Sequence, residues 1–124
     1  MNTPEQTALR IAQIFYRSQQ HRARVSEATV RLLGRRRRLR SAFVILVTEI
    51  LSMDFDLTMV ELASGGFGII STKALEGAKI ITAKKLLSEE ERRDLKRDDV
   101  DYDAIRDEIE AHKPDETDDS TEGE

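Results

Sequence analysis

The residues best equipped for chemistry are the arginines of Arg31-Leu32-Leu33-Gly34-Arg35-Arg36-Arg37-Arg38-Leu39-Arg40, six in ten positions. A guanidinium stays charged at any physiological pH and presents a planar fork of donors that fits a phosphate or a guanine edge better than an ammonium does. Every Lys or Arg position before residue 54 is an arginine. Four consecutive arginines on a helix point around its whole circumference, so they cannot all be buried or all be paired along it. Some must face water or a partner. The candidate nucleic-acid contacts are Arg31, Arg35, Arg36, Arg37, Arg38 and Arg40, with Lys73 as the lysine nearest a β-hairpin read below.

The second feature is acidic. Residues 1–53 hold ten arginines against three acids, residues 54–87 four lysines against four acids, and residues 88–124 six bases against seventeen acids. The net charge of −4 hides this polarity along the chain. A segment so acidic can mimic a phosphate backbone, engage the protein's own arginines, or keep the chain soluble.

Other chemistries find little support. There is no cysteine, and the two histidines are far apart, so thiolate sites are excluded and no metal or cofactor is expected. Gly65-Gly66-Phe67-Gly68 lacks both the dinucleotide fingerprint and the Gly-Lys-Ser/Thr ending of a phosphate loop, and reads as a turn. Asp54, Asp56 and Glu61 lack a lysine two residues after the glutamate and read as solubility acids bordering a strand rather than as a nuclease metal site. No serine, histidine and acid stand in a hydrolase motif, so no enzyme is expected. The first residues, MNTPEQTALR, lack a basic stretch leading into an apolar one, and the longest apolar run, Ala42 to Val47, is far short of a bilayer span. The expectation is a cytoplasmic protein without a membrane segment.

The elements that would position the arginines follow from local signals. Thr3-Pro4-Glu5-Gln6 is a capping box with proline at the first helical position, and Ala8, Ile11, Ala12 and Phe15 form the apolar stripe of a helix ending near Gln19 to His21. Ser26 caps a second helix that Gly34 stops in the left-handed conformation. A third helix is predicted from about Arg36 to Ser52, its first turns basic and its later turns apolar through Leu39, Phe43, Leu46, Val47 and Ile50. Residues 57–62 and 67–71 form a hairpin around Gly65-Gly66. A short helical turn is expected after Thr72 and an extended piece near residues 78–83. Ser88-Glu89-Glu90-Glu91 opens a charged helix, and a last helix runs from Tyr102 to His112 before Pro114. Tyr102, Ile105 and Ile109 share one face of it and are expected to dock on the core. Residues 114–124 hold six acids and no base, a composition expected to be disordered.

The fold class expected is thus mainly α with one β-hairpin (α+β). A core domain spans residues 1–87 with a helix-turn-helix-like segment at 26–51, followed by a charged helical extension at 88–113 and an acidic tail at 114–124. The order helix, helix, helix, strand, strand over residues 5–71 resembles a winged helix, which implies that the third helix presents its basic first turns to a DNA groove. The expected function is a non-enzymatic nucleic-acid-binding protein of transcriptional-regulator type, with DNA preferred over RNA. The alternative is a protein-interaction module, an inhibitor or adaptor, acting through the acidic segment. A second copy of the chain is a further candidate partner, because paired helix-turn-helix units read paired half-sites.

Overall fold

Local capping starts the fold as the sequence demands. In the computed structural model, which describes residues 1–113, helix α1 spans Pro4–Ser18, and the Thr3 side chain accepts from the Gln6 amide while the Gln6 side chain accepts from the Thr3 amide. Ala8, Ile11, Ala12 and Phe15 are buried on its inner face. The chain reverses at Gln19, which takes the left-handed conformation, and enters strand β1, Arg22–Val25. Ser26 then caps helix α2, Glu27–Gly34, by accepting from the Thr29 amide. Helix α3 spans Ser41–Phe55. Strands β2, Leu57–Glu61, and β3, Phe67–Ser71, form the expected hairpin, and helix α4, Thr72–Glu76, follows at once.

The three strands make one antiparallel sheet in the order β1-β3-β2. β3 is the central strand, pairing Ala23 with Ile69 on one side and Met59 with Ile69 on the other. Alternation sends Leu57, Met59, Phe67 and Ile69 inward, where they join Ile11 and Phe15 of α1, Val30 of α2, and Phe43, Val47 and Leu51 of α3 in one hydrophobic cluster. Ile11, Val47, Leu51 and Leu57 are wholly buried, and each such side chain contributes roughly 1.5–3 kcal/mol relative to exposure.

The hairpin turn also braces the β1–α2 junction. Gly65 and Gly66 have φ of 103° and 73°. A Cβ on Gly66 would sit 2.8 Å from the Val25 carbonyl oxygen, whereas a Cβ on Gly65 would meet nothing within 4 Å. Glycine at 66 therefore serves both conformation and close approach.

The chain divides into two compact units, Met1–Ala78 and the segment beginning at Lys79. The second unit carries helices α5, Ala83–Leu86, α6, Glu89–Lys96, and α7, Tyr102–His112. Ser88 and Glu91 form the expected capping box of α6. Residues 79–82 form no strand, and α5 follows them. None of these three helices has a buried residue, and Tyr102, Ile105 and Ile109 are exposed. The acidic tail at 114–124 lies outside the described residues. The molecule is helix-rich with a small antiparallel sheet, an α+β protein.

Further sequence expectations need correction. β1 was not anticipated. Its signal was the alternation Arg22-Ala23-Arg24-Val25, too short to stand alone but completed by the β3 ladder. Leu46 is 47% exposed rather than in the core, because α3 turns Phe43, Val47 and Leu51 inward instead. Most consequentially, α3 begins at Ser41 and not near Arg36, so the arginines occupy the α2–α3 loop and not a helix start. Cations crowded onto a helix N-terminus oppose the positive end of its dipole.

Candidate nucleic-acid interface

The arginine loop is built by what holds its two ends. α2 ends one residue beyond expectation: Gly34 is its last helical residue, and Arg35 takes the left-handed conformation at φ 52°. The requirement for glycine at 34 is close packing. A Cβ there would lie 3.3 Å from both Phe43 Cζ and Thr7 Oγ1. Thr7 is fully buried, its hydroxyl donating to the Thr3 carbonyl at 2.9 Å. The last carbonyls of α2 are satisfied from outside the helix, where the Asn2 amide donates to Gly34 O at 3.0 Å and the Asn2 side chain to Leu33 O at 2.8 Å.

Arg36 returns that connection. Its Nη2 donates to the Asn2 carbonyl at 2.9 Å, and its guanidinium carbon lies 3.6 Å from the centroid of the Phe43 ring, a cation–π stack. Its Nε is buried without a hydrogen-bond partner. Asn2, Arg36 and Phe43 thus clamp the loop to both the N-terminal segment and α3. Leu39 is half-buried against the core, and Arg40 is the N-cap residue of α3 without a side-chain capping bond.

With Arg36 and Leu39 turned inward, the residues between and beside them turn out. Arg35, Arg37, Arg38 and Arg40 are exposed. Together with Arg36 and Met1 they line one open depression of about 510 Å³. Among the described residues, Arg31 is the one arginine of the group held in an ion pair, with Glu27 at 3.6 Å along α2. Residues 1–78 as a whole hold eleven bases against seven acids. Four exposed guanidiniums stand on one short loop without a carboxylate between them, each carrying a planar fork of donors whose geometry matches a phosphate oxygen pair.

The structure brings together Arg35, Arg36, Arg37, Arg38 and Arg40, five of the seven residues singled out from sequence. Arg31 sits on α2 and Lys73 on α4, both outside the lining of the depression. Two further bases went unnoticed: Arg22 and Arg24 occupy the exposed face of β1, and only recognition of that strand's two-residue period would have found them. The outward residues of α3 include no base. His112 ends α7 with its Nδ1 3.0 Å from the Glu108 carbonyl oxygen. Among the described residues, no three histidine or carboxylate side chains converge as a metal site, Asp54, Asp56 and Glu61 included. No described helix is long and apolar enough to cross a membrane.

No family model, curated protein or solved structure matches this chain.

Proposed function

We propose that the protein is a small, non-enzymatic nucleic-acid-binding protein of transcriptional-regulator type, acting in the cytoplasm. It grips the phosphate backbone of a duplex, DNA in preference to RNA, through the α2–α3 arginine loop. The observation that carries this reading is the shared depression lined by Arg35, Arg36, Arg37, Arg38 and Arg40, in which no described acid answers the exposed guanidiniums. The order helix, strand, helix, helix, strand, strand, with β1 closing on β3, supports a winged-helix-like arrangement of residues 4–71.

The chemistry of α3 narrows the mode of binding. Its exposed residues, among them Ala42, Ile45, Leu46, Glu49, Ser52, Met53 and Asp54, offer no cation and two carboxylates, a poor match for a groove flanked by phosphates. Contacts from the loop alone position a protein on the backbone and carry little base sequence. The binding proposed is therefore electrostatic and weakly sequence-selective.

The test is titration of labelled mixed-sequence duplex DNA, and separately RNA, with the full chain and with a chain ending at Lys113, at about 50 mM salt. Binding by either chain supports the reading, tighter in the shortened chain if the six tail acids compete. Failure of both chains on both nucleic acids refutes it. A second reading, a protein-interaction module acting through the acidic C-terminal segment, is favoured by α7, where Tyr102, Ile105 and Ile109 stay exposed beside Asp103, Asp107, Glu108 and Glu110. A partner retained by the full chain but lost on Ile105→Asp and Ile109→Asp substitution would support it.

A further inference from the structure

Helix α7 carries an apolar stripe with an ordered charged margin on either side. Tyr102, Ile105 and Ile109 are 62%, 43% and 54% exposed, and His112, also exposed, continues their spacing of three and four. At 3.6 residues per turn the four side chains share about 80° of the helix circumference. They form the seam of a coiled coil, with Tyr102 and Ile109 in its a layers and Ile105 and His112 in its d layers. Arg106 and Lys113, seven residues apart, border one side of this seam, and Asp101 and Glu108, also seven apart, border the other. Asp103, Asp107 and Glu110 stand on the back of the helix.

We infer that α7 pairs with α7 of a second copy of this chain, parallel and in register about a two-fold axis along the seam. The charge pattern selects that occupant. In a parallel pair the margin of one helix meets the opposite margin of the other, offset by five residues. Asp101 then meets Arg106 of the second copy, and Glu108 meets its Lys113, each twice by symmetry. Antiparallel pairing sets like margin against like, Arg106 against Arg106 and Glu108 against Glu108, which repels. The groups are available for the parallel arrangement. Among the described residues Arg106 and Glu108 hold no ion pair. Asp101 caps α7 with Oδ1, which accepts from the Ala104 amide at 3.1 Å, and Oδ2 is left for the arginine. Lys113 lies 3.5 Å from Glu110 in an exposed pair, weak enough to be exchanged. A nucleic acid does not fit this helix, where the acids from Asp101 to Glu110 outnumber Arg106 and Lys113.

The size of the seam sets the strength. Eleven residues of helix extend about 16 Å, and one seam of that length falls well below the roughly 800 Å² per partner of a standard interface. The dimer is accordingly weak and concentration-dependent, with a dissociation constant on the order of 100 μM to 1 mM. The inference rests on the protein-interaction reading of α7, for which it names the partner, and not on the arginine loop.

Sedimentation equilibrium of the full chain, without nucleic acid, over roughly 10 μM to 1 mM should show a monomer–dimer equilibrium. Glu108→Lys should weaken it about fivefold, because two attractive pairs become repulsive, and Glu108→Lys combined with Lys113→Glu should restore it. Both variants leave the apolar stripe intact. The direction of pairing is read with a thiol. The chain has no cysteine, so His112→Cys and Ala111→Cys each introduce a single one, on the seam and on the back of α7. In glutathione buffer at about 100 μM chain, His112→Cys should form the intermolecular disulfide at least about fivefold more than Ala111→Cys. An antiparallel pair would hold the two thiols at position 112 about 15 Å apart, beyond the reach of a disulfide. A chain that stays monomeric to about 1 mM, a swap that does not restore association, or equal crosslinking at the two positions overturns the inference. A monomeric chain that still loses a foreign partner on Ile105→Asp and Ile109→Asp substitution removes this inference and leaves the protein-interaction reading standing.

Discussion

Replacing Arg36 with alanine should destabilise residues 1–78, whereas the same change at Arg37 or Arg38 should not. Arg36 contributes a cation–π stack with its guanidinium carbon 3.6 Å from the Phe43 centroid, about 1 kcal/mol when half-buried. Its charged hydrogen bond to the Asn2 carbonyl at 2.9 Å adds about 1.5 kcal/mol. Against these stands the buried Nε without a partner, whose removal returns about 1 kcal/mol. The net loss is about 1.5 kcal/mol, which for a unit of this size lowers the midpoint by roughly 6–12 °C. Arg37 and Arg38 are exposed and unpaired among the described residues, so their alanine variants should stay within about 0.5 kcal/mol of the parent. Arg36→Lys keeps the charge but not the planar stack, and should fall between. Thermal unfolding followed at 222 nm reads all four variants under one condition. If Arg36→Ala unfolds at the parent midpoint, or Arg37→Ala loses as much, the division of this loop into one anchoring arginine and several free ones is wrong.

Two further outcomes concern the frame around the loop. Gly66→Ala should cost more than about 2 kcal/mol in urea unfolding, combining a left-handed backbone with a Cβ 2.8 Å from the Val25 carbonyl oxygen. Gly65→Ala, with open space around it, should cost only the backbone strain of about 1 kcal/mol, and equal losses at the two positions would remove the proposed bracing of the β1–α2 junction. Tyr16→Phe deletes the hydroxyl that donates to the Phe55 carbonyl at the end of α3, 2.6 Å away, and should lower stability by about 1 kcal/mol. An unchanged urea midpoint would show that water replaces that bond without loss.

What was legible in the sequence was what neighbours in the chain decide. The capping boxes at Thr3 and Ser88, the Ser26 cap and the limits Tyr102 and His112 depend on side chains three or four residues apart, and each appears as read. The stripe of α1 was equally plain because its apolar residues keep one period. Features set by distant partners were not legible. β1 exists because β3 lies beside it, and the alternation Arg22-Ala23-Arg24-Val25 is too short to announce that ladder by itself. The arginine run was read as a helix start because Leu39 and Phe43 sit at helical spacing. The stack of Arg36 on Phe43, the bond to Asn2 and the opposition of four cations to a helix dipole made it a loop instead. That error bears directly on function. It moves the guanidiniums off the groove-facing position that a helix start would give them and onto a surface suited to backbone phosphates.

The salt dependence of duplex DNA binding tests the central claim most directly, comparing the full chain with its Arg35→Ala, Arg37→Ala, Arg38→Ala triple variant between about 50 and 200 mM salt. Each phosphate neutralised by the loop contributes about 0.9 to the slope of log affinity against log salt. The slope should therefore fall by roughly 2 to 3 in the triple variant while its unfolding midpoint stays near that of the parent. A triple variant that binds with the parent's affinity and slope would contradict the account.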